Sequence, residues 1–355
     1  MFVGLRKPEE LIVIVVTLLA YGCPVQAIVH ALELDERTVA RWQERAGAHC
    51  RKVHEDQVMV GKLDLQHVQA DEIPGKGWRM IPWIGLAMMV STRLWLGGVV
   101  SLRRDRHLAD ALLTMVKACC QPLVTVLVLT DGWAAYPGRL RRAFREKVKG
   151  MSGRGRSRLQ AWPEILMGTV IKKTAKKRVV EVIRRVTQGG AEAAIALLAA
   201  SGGGKPLHTA FLERLNATFR ERLASLTRRC RHAARKVSQL QAGMWLVGCT
   251  YNLGFPHHEL SRRTARVQAH PGEVPMTPAM ASGLTDHVWS MRERLTFRIP
   301  PPAWVVPKRR GRPRTLAQAC KRPVSARPRP LLRLRKGALC PSTNEGSPTR
   351  RMISD

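Results

Sequence analysis

Carboxylates are scarce in this chain. Across 355 residues, 26 Asp and Glu stand against 60 Lys and Arg, a formal net charge of +34. That imbalance predicts a polyanionic partner, bound by phosphate neutralisation and counterion release. A ribosomal or purely electrostatic DNA-coating protein would share the charge, but such chains are usually shorter and poorer in apolar residues than this one. Cysteine spacing is equally uninformative as a framework. The eight cysteines include no C-x-x-C pair to set beside a His pair at zinc-ligand spacing, and Cys119 and Cys120 are adjacent. This excludes a sequence-legible zinc or disulfide scaffold and suits a reduced, cytoplasmic protein. No apolar run is long enough to span a bilayer: "LIVIVVTLLAYG" is too short and no small-residue cleavage site follows it, so it reads as a buried helix and no membrane partner is expected.

What is present begins with helices. "PEELIVIVVTLLAYG" carries Pro8 and two acids in its first turn, as helix starts often do. "PVQAIVHALEL" follows, then a break at Asp35, then "ERTVARWQERAG", which is expected to end at Gly47. Two short helices joined by a tight turn match a helix-turn-helix, and residues 1–50 are expected to form a DNA-binding domain. Arg37, Arg41 and Arg45 recur at steps of four on one side, with Val39 and Trp42 inward. A plain three-helix bundle is the alternative.

Residues 60–255 alternate strand and helix patterns. "LDLQHVQADEI", "PWIGLAMMVST" and "LWLGGVVSL" read as strands, with a turn near Thr92 and Arg93. "HLADALLTMVKACC" reads as a helix and "LVTVLVLTDGW" as the next strand, giving a mixed α/β sheet. Residues 137–160 are basic, with Gly and Ser in their later half arguing for an exposed loop. "KKTAKKRVVEVIRRV" reads as a short strand or helix and "AEAAIALLAA" as a small helix. Residues 207–247 carry a long helical pattern whose apolar stripe is Leu212, Leu215, Phe219, Leu223 and Leu226. Residues 256–299 are expected to form a C-terminal helical extension. From about Pro300 apolar periodicity ends, and residues 300–355 read as a basic, disordered tail.

The carboxylates that do occur are placed suggestively. In "VLVLTDGWAAY", residues 126–136, the most apolar strand ends on Asp131. A lone buried carboxylate is costly unless it is paired or binds a metal, and strand C-terminal ends open onto the crevice where α/β sheets place ligands. Asp71, in "HVQADEI", stands similarly, and Glu72 beside it equally fits the inward position. Two hard oxygen donors suit Mg²⁺. A third acid is expected from the helix facing the sheet: Glu213 in "AFLERLNATFRERL", with Asn216 and Arg220 three and seven residues on. Simpler accounts exist for each. Asp131 before Gly132 also fits the start of a turn, Asp71 fits a solvent-facing strand end, and Glu213 fits a helix-surface acid paired with Arg214 or Arg220. Taken together in so basic a chain, the three favour metal-dependent phosphoryl transfer.

The segments "VQADEI", "STRLWLGGVVS", "TDGWAAY", "LERLNATFRERLASLTRRCRHAARK", "GCTYNLGFPHHEL" and "TPAMASGLTDHVW" together resemble bacterial insertion-sequence transposases of the DDE type, the Insertion Sequence One-like group. No single motif is decisive; their order and spacing are specific as a set, from about Leu5 to Arg314. The resemblance implies a ribonuclease-H-like catalytic domain, with Asp71, Asp131 and Glu213 as a triad holding two Mg²⁺ or Mn²⁺ ions and Glu221 as a weaker candidate for the third acid. It implies water attack at a transposon end, then attack of the released 3′-hydroxyl on target DNA, with no protein nucleophile. Tyr136 and Tyr251 are therefore read as structural. Implied partners are the terminal inverted repeats, target DNA and further copies of the chain on DNA, in a nucleoid-associated setting. The alternatives are a non-catalytic DNA-binding regulator derived from a transposase, and a stand-alone ribonuclease-H-like nuclease, which would have no use for a helix-turn-helix. In the tail, "PKRRGRPR" (residues 307–314) resembles an AT-hook, with Arg310, Arg312 and Arg314 available to a narrow minor groove; a nonspecific basic tail is the other reading.

Overall fold

The computed structural model describes residues 1–77, 81–148, 156–162, 164–176, 178–227, 236–268, 274–301 and 304. Three helices open the chain: α1 (Glu9–Ala20), α2 (Val25–Ala31) and α3 (Glu36–Gln57). Asp35 caps α3, its carboxylate accepting from the Arg37 and Thr38 backbone N–H groups at 2.8 and 3.2 Å. Val39 and Trp42 are buried as expected. The helix does not stop at Gly47. It runs on for ten residues, because Gly47 is where it crosses a later helix: a Cβ there would lie 2.3 Å from the Ala242 carbonyl oxygen. The glycine permits close helix approach, and its position in the chain imitated a helix end.

A six-stranded sheet follows, in the order β3-β2-β1-β4-β7-β8. Strands β1 (His67–Pro74), β2 (Trp83–Met89) and β3 (Trp95–Ser101) form an antiparallel meander, and β1 and β2 stay paired out to Pro74 and Trp83. Helix α4 (Arg106–Cys119), capped by Asp105, returns the chain to β4 (Val126–Thr130), which lies parallel to β1. This mixed α/β arrangement is compatible with the ribonuclease-H-like expectation.

Residues 137–160 are more ordered than a loop over their first half. Helix α5 (Ala135–Ala143) and β5 (Arg145–Val148) occupy it, and β5 pairs with β6 (Arg158–Ala161); residues 149–155 lie outside the described residues. The basic run expected to be one short strand or helix is instead most of a hairpin. Strand β7 (Ile165–Ala175) lies parallel to β4, and β8 (Arg178–Gln188) pairs antiparallel to β7. Helix α6 (Ala191–Ala200) then leads to α7 (Ala210–Arg222), which lies against β1 and β2, and to α8 (Val237–Gly254). The long helical pattern of residues 207–247 is thus broken after Arg222. A single 3₁₀ turn at Ala224–Leu226 keeps Leu223 and Leu226 buried, so the apolar spacing survives where the helix does not. Short helices α9 (His258–Val267), α10 (Pro278–Ala281) and α11 (Met291–Thr296) complete the described chain.

Met1–Pro300 forms one compact unit. Its largest apolar cluster takes in Ile12, Val16 and Trp42 of the first helices, Val68 and Val128 of the sheet, and Leu295 of α11. Asn252 of α8 ties helix to sheet: its side chain accepts from the Trp95 N–H at 2.9 Å and donates to the Trp95 carbonyl at 2.8 Å. Among the described residues no helix is long and apolar enough to cross a membrane.

Candidate metal centre

Register explains why two acids meet. Parallel pairing of β1 with β4 ends at Ala70 opposite Thr130, so the next residue of each chain is an aspartate, Asp71 beside Asp131. Asp71 is not a strand terminus, since β1 continues to Pro74 along β2; it stands where its other neighbour stops. Asp131 opens a turn, its Oδ1 accepting from the Trp133 N–H at 3.0 Å. Gly132 follows because a Cβ there would lie 2.7 Å from Ile171.

Side chains alternate along β1, and the alternation sorts its polar residues onto two faces. Gln69, Asp71 and Ile73 point toward α7. The Gln69 side chain accepts from the Leu212 N–H at 3.0 Å and donates to the His208 carbonyl at 2.7 Å, fixing the first turn of α7. Asp71 Oδ2 accepts from Asn216 Nδ2 at 2.8 Å. Val68, Ala70 and Glu72 point the other way, into the main apolar cluster, where the Glu72 side chain is fully buried. There the hydroxyl of Tyr136, itself fully buried, donates to Glu72 Oε1. Tyr136, expected to be structural, thus holds this acid in place.

Carboxylate oxygens of Asp71, Glu72 and Asp131 lie within 4.8 Å of one another, and this half-buried acidic group can hold a metal ion. The donor set fits a hard divalent cation, which takes oxygen ligands. The protonation chemistry fits as well. Burial, then the nearby Asp131 charge, pushes the Asp71 carboxyl up to about 6. Burial pushes Glu72 up to about 7, against the hydrogen bond from Tyr136. A divalent cation beside the two carboxyls would offset that burial cost by favouring their charged forms.

Glu213 joins the same cleft, of about 570 Å³, whose walls include Asp71, Asp131, Arg104, Lys172 and Thr209. It accepts from Thr209 Oγ1 at 2.8 Å and pairs with Lys172. Burial raises its pKa, but the hydrogen bonds from Lys172 and Thr209 outweigh that and lower it. Glu221 is not among the residues lining the cleft. Asn216 is buried against Asp71, so it serves the cleft from beneath, whereas Arg220 does not line it.

Arg104 and Lys172 carry no motif and were not expected. Arg104 Nη2 lies 3.1 Å from both Glu72 Oε2 and Asp131 Oδ2, with its guanidinium over the Trp133 ring at 4.7 Å. Its sequence signal is faint: it directly precedes Asp105, the cap of α4, where the chain leaves β3. Lys172 is placed by the β4–β7 register, which the sequence pattern did not resolve.

The proposed DNA-facing residues divide. Arg37 and Arg41 are exposed on α3. Arg45 is half-buried and donates to the Met1 and Val3 carbonyls at 3.0 and 2.7 Å, tying down the N-terminal segment. Arg310, Arg312 and Arg314 lie outside the described residues. No protein-family model matches the chain, and no curated protein matches it.

Proposed function

We propose that this chain is a DDE-type DNA transposase, which binds transposon-end DNA and carries out metal-dependent strand cleavage and strand transfer. The observation that carries the reading is the meeting of Asp71, Asp131 and Glu213 in one cleft, from two adjacent parallel strands and the helix laid against them. The net charge of +34 supplies the attraction for DNA. Asp71 and Asp131 would hold Mg²⁺ or Mn²⁺ from the sheet, and Glu213 would approach from α7. Two such ions supply activation of a nucleophile and stabilisation of the leaving oxygen in an in-line displacement. Asn216 orients the Asp71 carboxylate, Gln69 sets the height of α7 and hence of Glu213, and Trp133 N–H fixes the rotamer of Asp131. In this reading α2 and α3 present Arg37 and Arg41 to the terminal repeats, the tail adds Arg310, Arg312 and Arg314 in a minor groove, and copies of the chain assemble on the DNA.

A second reading has one observation in its favour. Arg104 already pairs with Asp131 and Lys172 with Glu213, so part of the acid charge is balanced without metal. A transposase-derived DNA-binding regulator would keep such pairs. One experiment separates the two. Asp131→Asn and Glu213→Gln are compared with the unaltered chain for Mg²⁺-dependent nicking of a duplex carrying the element's end, and for binding to that duplex. The expected outcome is loss of nicking with binding held within about twofold, because affinity comes from Lys and Arg. A wild-type chain that binds the end but never nicks it, at any Mg²⁺ or Mn²⁺ concentration, supports the regulator.

A further inference from the structure

A buried guanidinium is ordinarily paired with a carboxylate or tied to carbonyl oxygens. On one flank of α7 the guanidiniums rest chiefly on aromatic rings instead. Leu212, Asn216, Phe219 and Leu223 face the sheet. At about 100° per residue, Glu213 lies on one side of that stripe, and Phe211, Arg214, Thr218 and Arg222 lie on the other. Those four wall a second cavity, of about 520 Å³. Arg93, from the turn between β2 and β3, and Tyr251, Phe255 and His257, around the end of α8, complete it.

The cations here rest on rings. Arg93 is 4% exposed; its guanidinium lies 3.6 Å above the Phe211 ring centre, and one N–H goes to the Val90 carbonyl. The Arg222 guanidinium lies 3.7 Å from the Phe255 ring centre and 5.3 Å from that of Tyr21. Ring faces steady a cation without neutralising it, and they leave its N–H edge available. Arg222 Nη1 and His257 Nδ1 are buried with no hydrogen-bond partner. The carboxylate lining the cavity, Glu259, pairs with Arg263 at 3.2 Å. Burial and the Arg93 and Arg214 charges push His257 down to about 4, and burial and Arg263 push Arg93 down to about 10. Each cation there raises the cost of the next, and each unmet polar nitrogen adds to it. A tetrahedral anion with several acceptor oxygens relieves both at once.

We propose that this cavity is a phosphate-binding site, taking one phosphate group of a nucleic-acid strand or of a free phosphate ester. Its volume exceeds that of phosphate alone and lies in the range of small-ligand sites, leaving room for the sugar or base attached to it. The proposal is independent of the acidic cleft, which lies on the opposite flank of α7.

The test uses the full chain in chelating buffer, so that no divalent ion contributes. Pyrophosphate is compared with sodium chloride at matched ionic strength by thermal melting, and a fluorescent single-stranded oligonucleotide and AMP are titrated separately. The variants are Arg214→Gln, whose side chain is exposed and carries little of the fold, Arg222→Gln, and Lys62→Gln as a charge-matched control outside the cavity. The expected result is a pyrophosphate-specific rise in Tm in the wild type and in Lys62→Gln, lost in Arg214→Gln and Arg222→Gln. If the phosphate belongs to a strand, oligonucleotide binding weakens about tenfold in the two cavity variants and not in the control. If it belongs to a free ester, AMP alone shows that dependence. Equal response of all four proteins to pyrophosphate, AMP and oligonucleotide would overturn the proposal, and would leave the reading of the acidic cleft untouched.

Discussion

Asp71→Asn should make the protein more stable while removing its metal site, and the size of the gain follows from the burial of Asp71. Its carboxyl pKa rises from 3.8 to about 6 because burial and the neighbouring Asp131 both penalise the charge. Between those values the native state binds a proton that the unfolded chain has lost, so stability falls as pH rises through the window, and the full penalty applies above it. At about 1.4 kcal/mol for each tenfold, that penalty is about 2–3 kcal/mol at pH 7.5 and about 1 kcal/mol at pH 4.5. Asparagine keeps an acceptor for Asn216 and carries no charge at either pH. In chelator, urea denaturation should place Asp71→Asn above the wild type by about 2–3 kcal/mol at pH 7.5, with the difference shrinking toward pH 4.5. Added Mg²⁺ should then stabilise the wild type, by about 1.4 kcal/mol at ten times its Kd, and the variant much less. A variant no more stable than wild type at pH 7.5 would refute the claim that Asp71 is held at electrostatic cost. A variant that gains as much from Mg²⁺ as the wild type would remove Asp71 from the metal site.

Three further outcomes test other joints of the structure. Gln69→Leu strips partners from the His208 carbonyl and the Leu212 N–H, so it should cost about 2 kcal/mol in denaturant melts and slow nicking more than it weakens Mg²⁺ binding, since Glu213 shifts while Asp71 stays. Arg41→Ala should reduce preference for end DNA over random DNA by about 1–3 kcal/mol if it reads a base, whereas Arg45→Ala should lower Tm with little change in that preference, because it binds the Met1 and Val3 carbonyls; the reverse pattern would restore Arg45 as a reader. His54 lies fully buried against Trp95 and Trp245, and burial pushes it down to about 4. Stability is therefore complete above pH 6.5 and declines by about 3 kcal/mol as pH falls from there to about 4, and His54→Phe should lose one proton's worth of that slope in pH-dependent denaturation.

What could be read in advance was whatever depends on one segment at a time. The apolar run before Asp131 is β4, the five-residue apolar stripe around Glu213 is buried, and the break at Asp35 is where a helix begins. What could not be read depends on register between segments. Asp71 and Glu72 competed for one inward position, yet both are inward, on opposite faces of a strand covered on both sides. A strand in that position gives no polar-apolar alternation to choose by. Gly47 had the sequence character of a helix end and proved to be a crossing point, which only the presence of Ala242 across from it explains. Lys172 reaches the cleft from a hairpin and Arg104 from the connection between β3 and α4, placements that no local pattern announces.

The charge distribution in the cleft bears on why metal would be needed at all. The chain as a whole carries a net charge of +34, yet the point where its acids meet is not positive. Asp71, Glu72, Asp131 and Glu213 bring four carboxyls together, and Arg104 and Lys172 pair with all of them except Asp71, which takes hydrogen bonds from the Asn216 amide and the Glu72 backbone. A phosphodiester steered along the basic surface would meet net negative charge at the one place where chemistry is proposed. Coulomb repulsion in a partly buried cleft is weakly screened, so a strand would be excluded from it by the same acids that make it look like an active site. A divalent cation reverses the sign locally. Asp71, raised and unpaired by any cation, is the carboxyl with most to gain from it, and on this argument DNA affinity near the cleft should depend on Mg²⁺ even where affinity elsewhere on the chain is weakened by added salt.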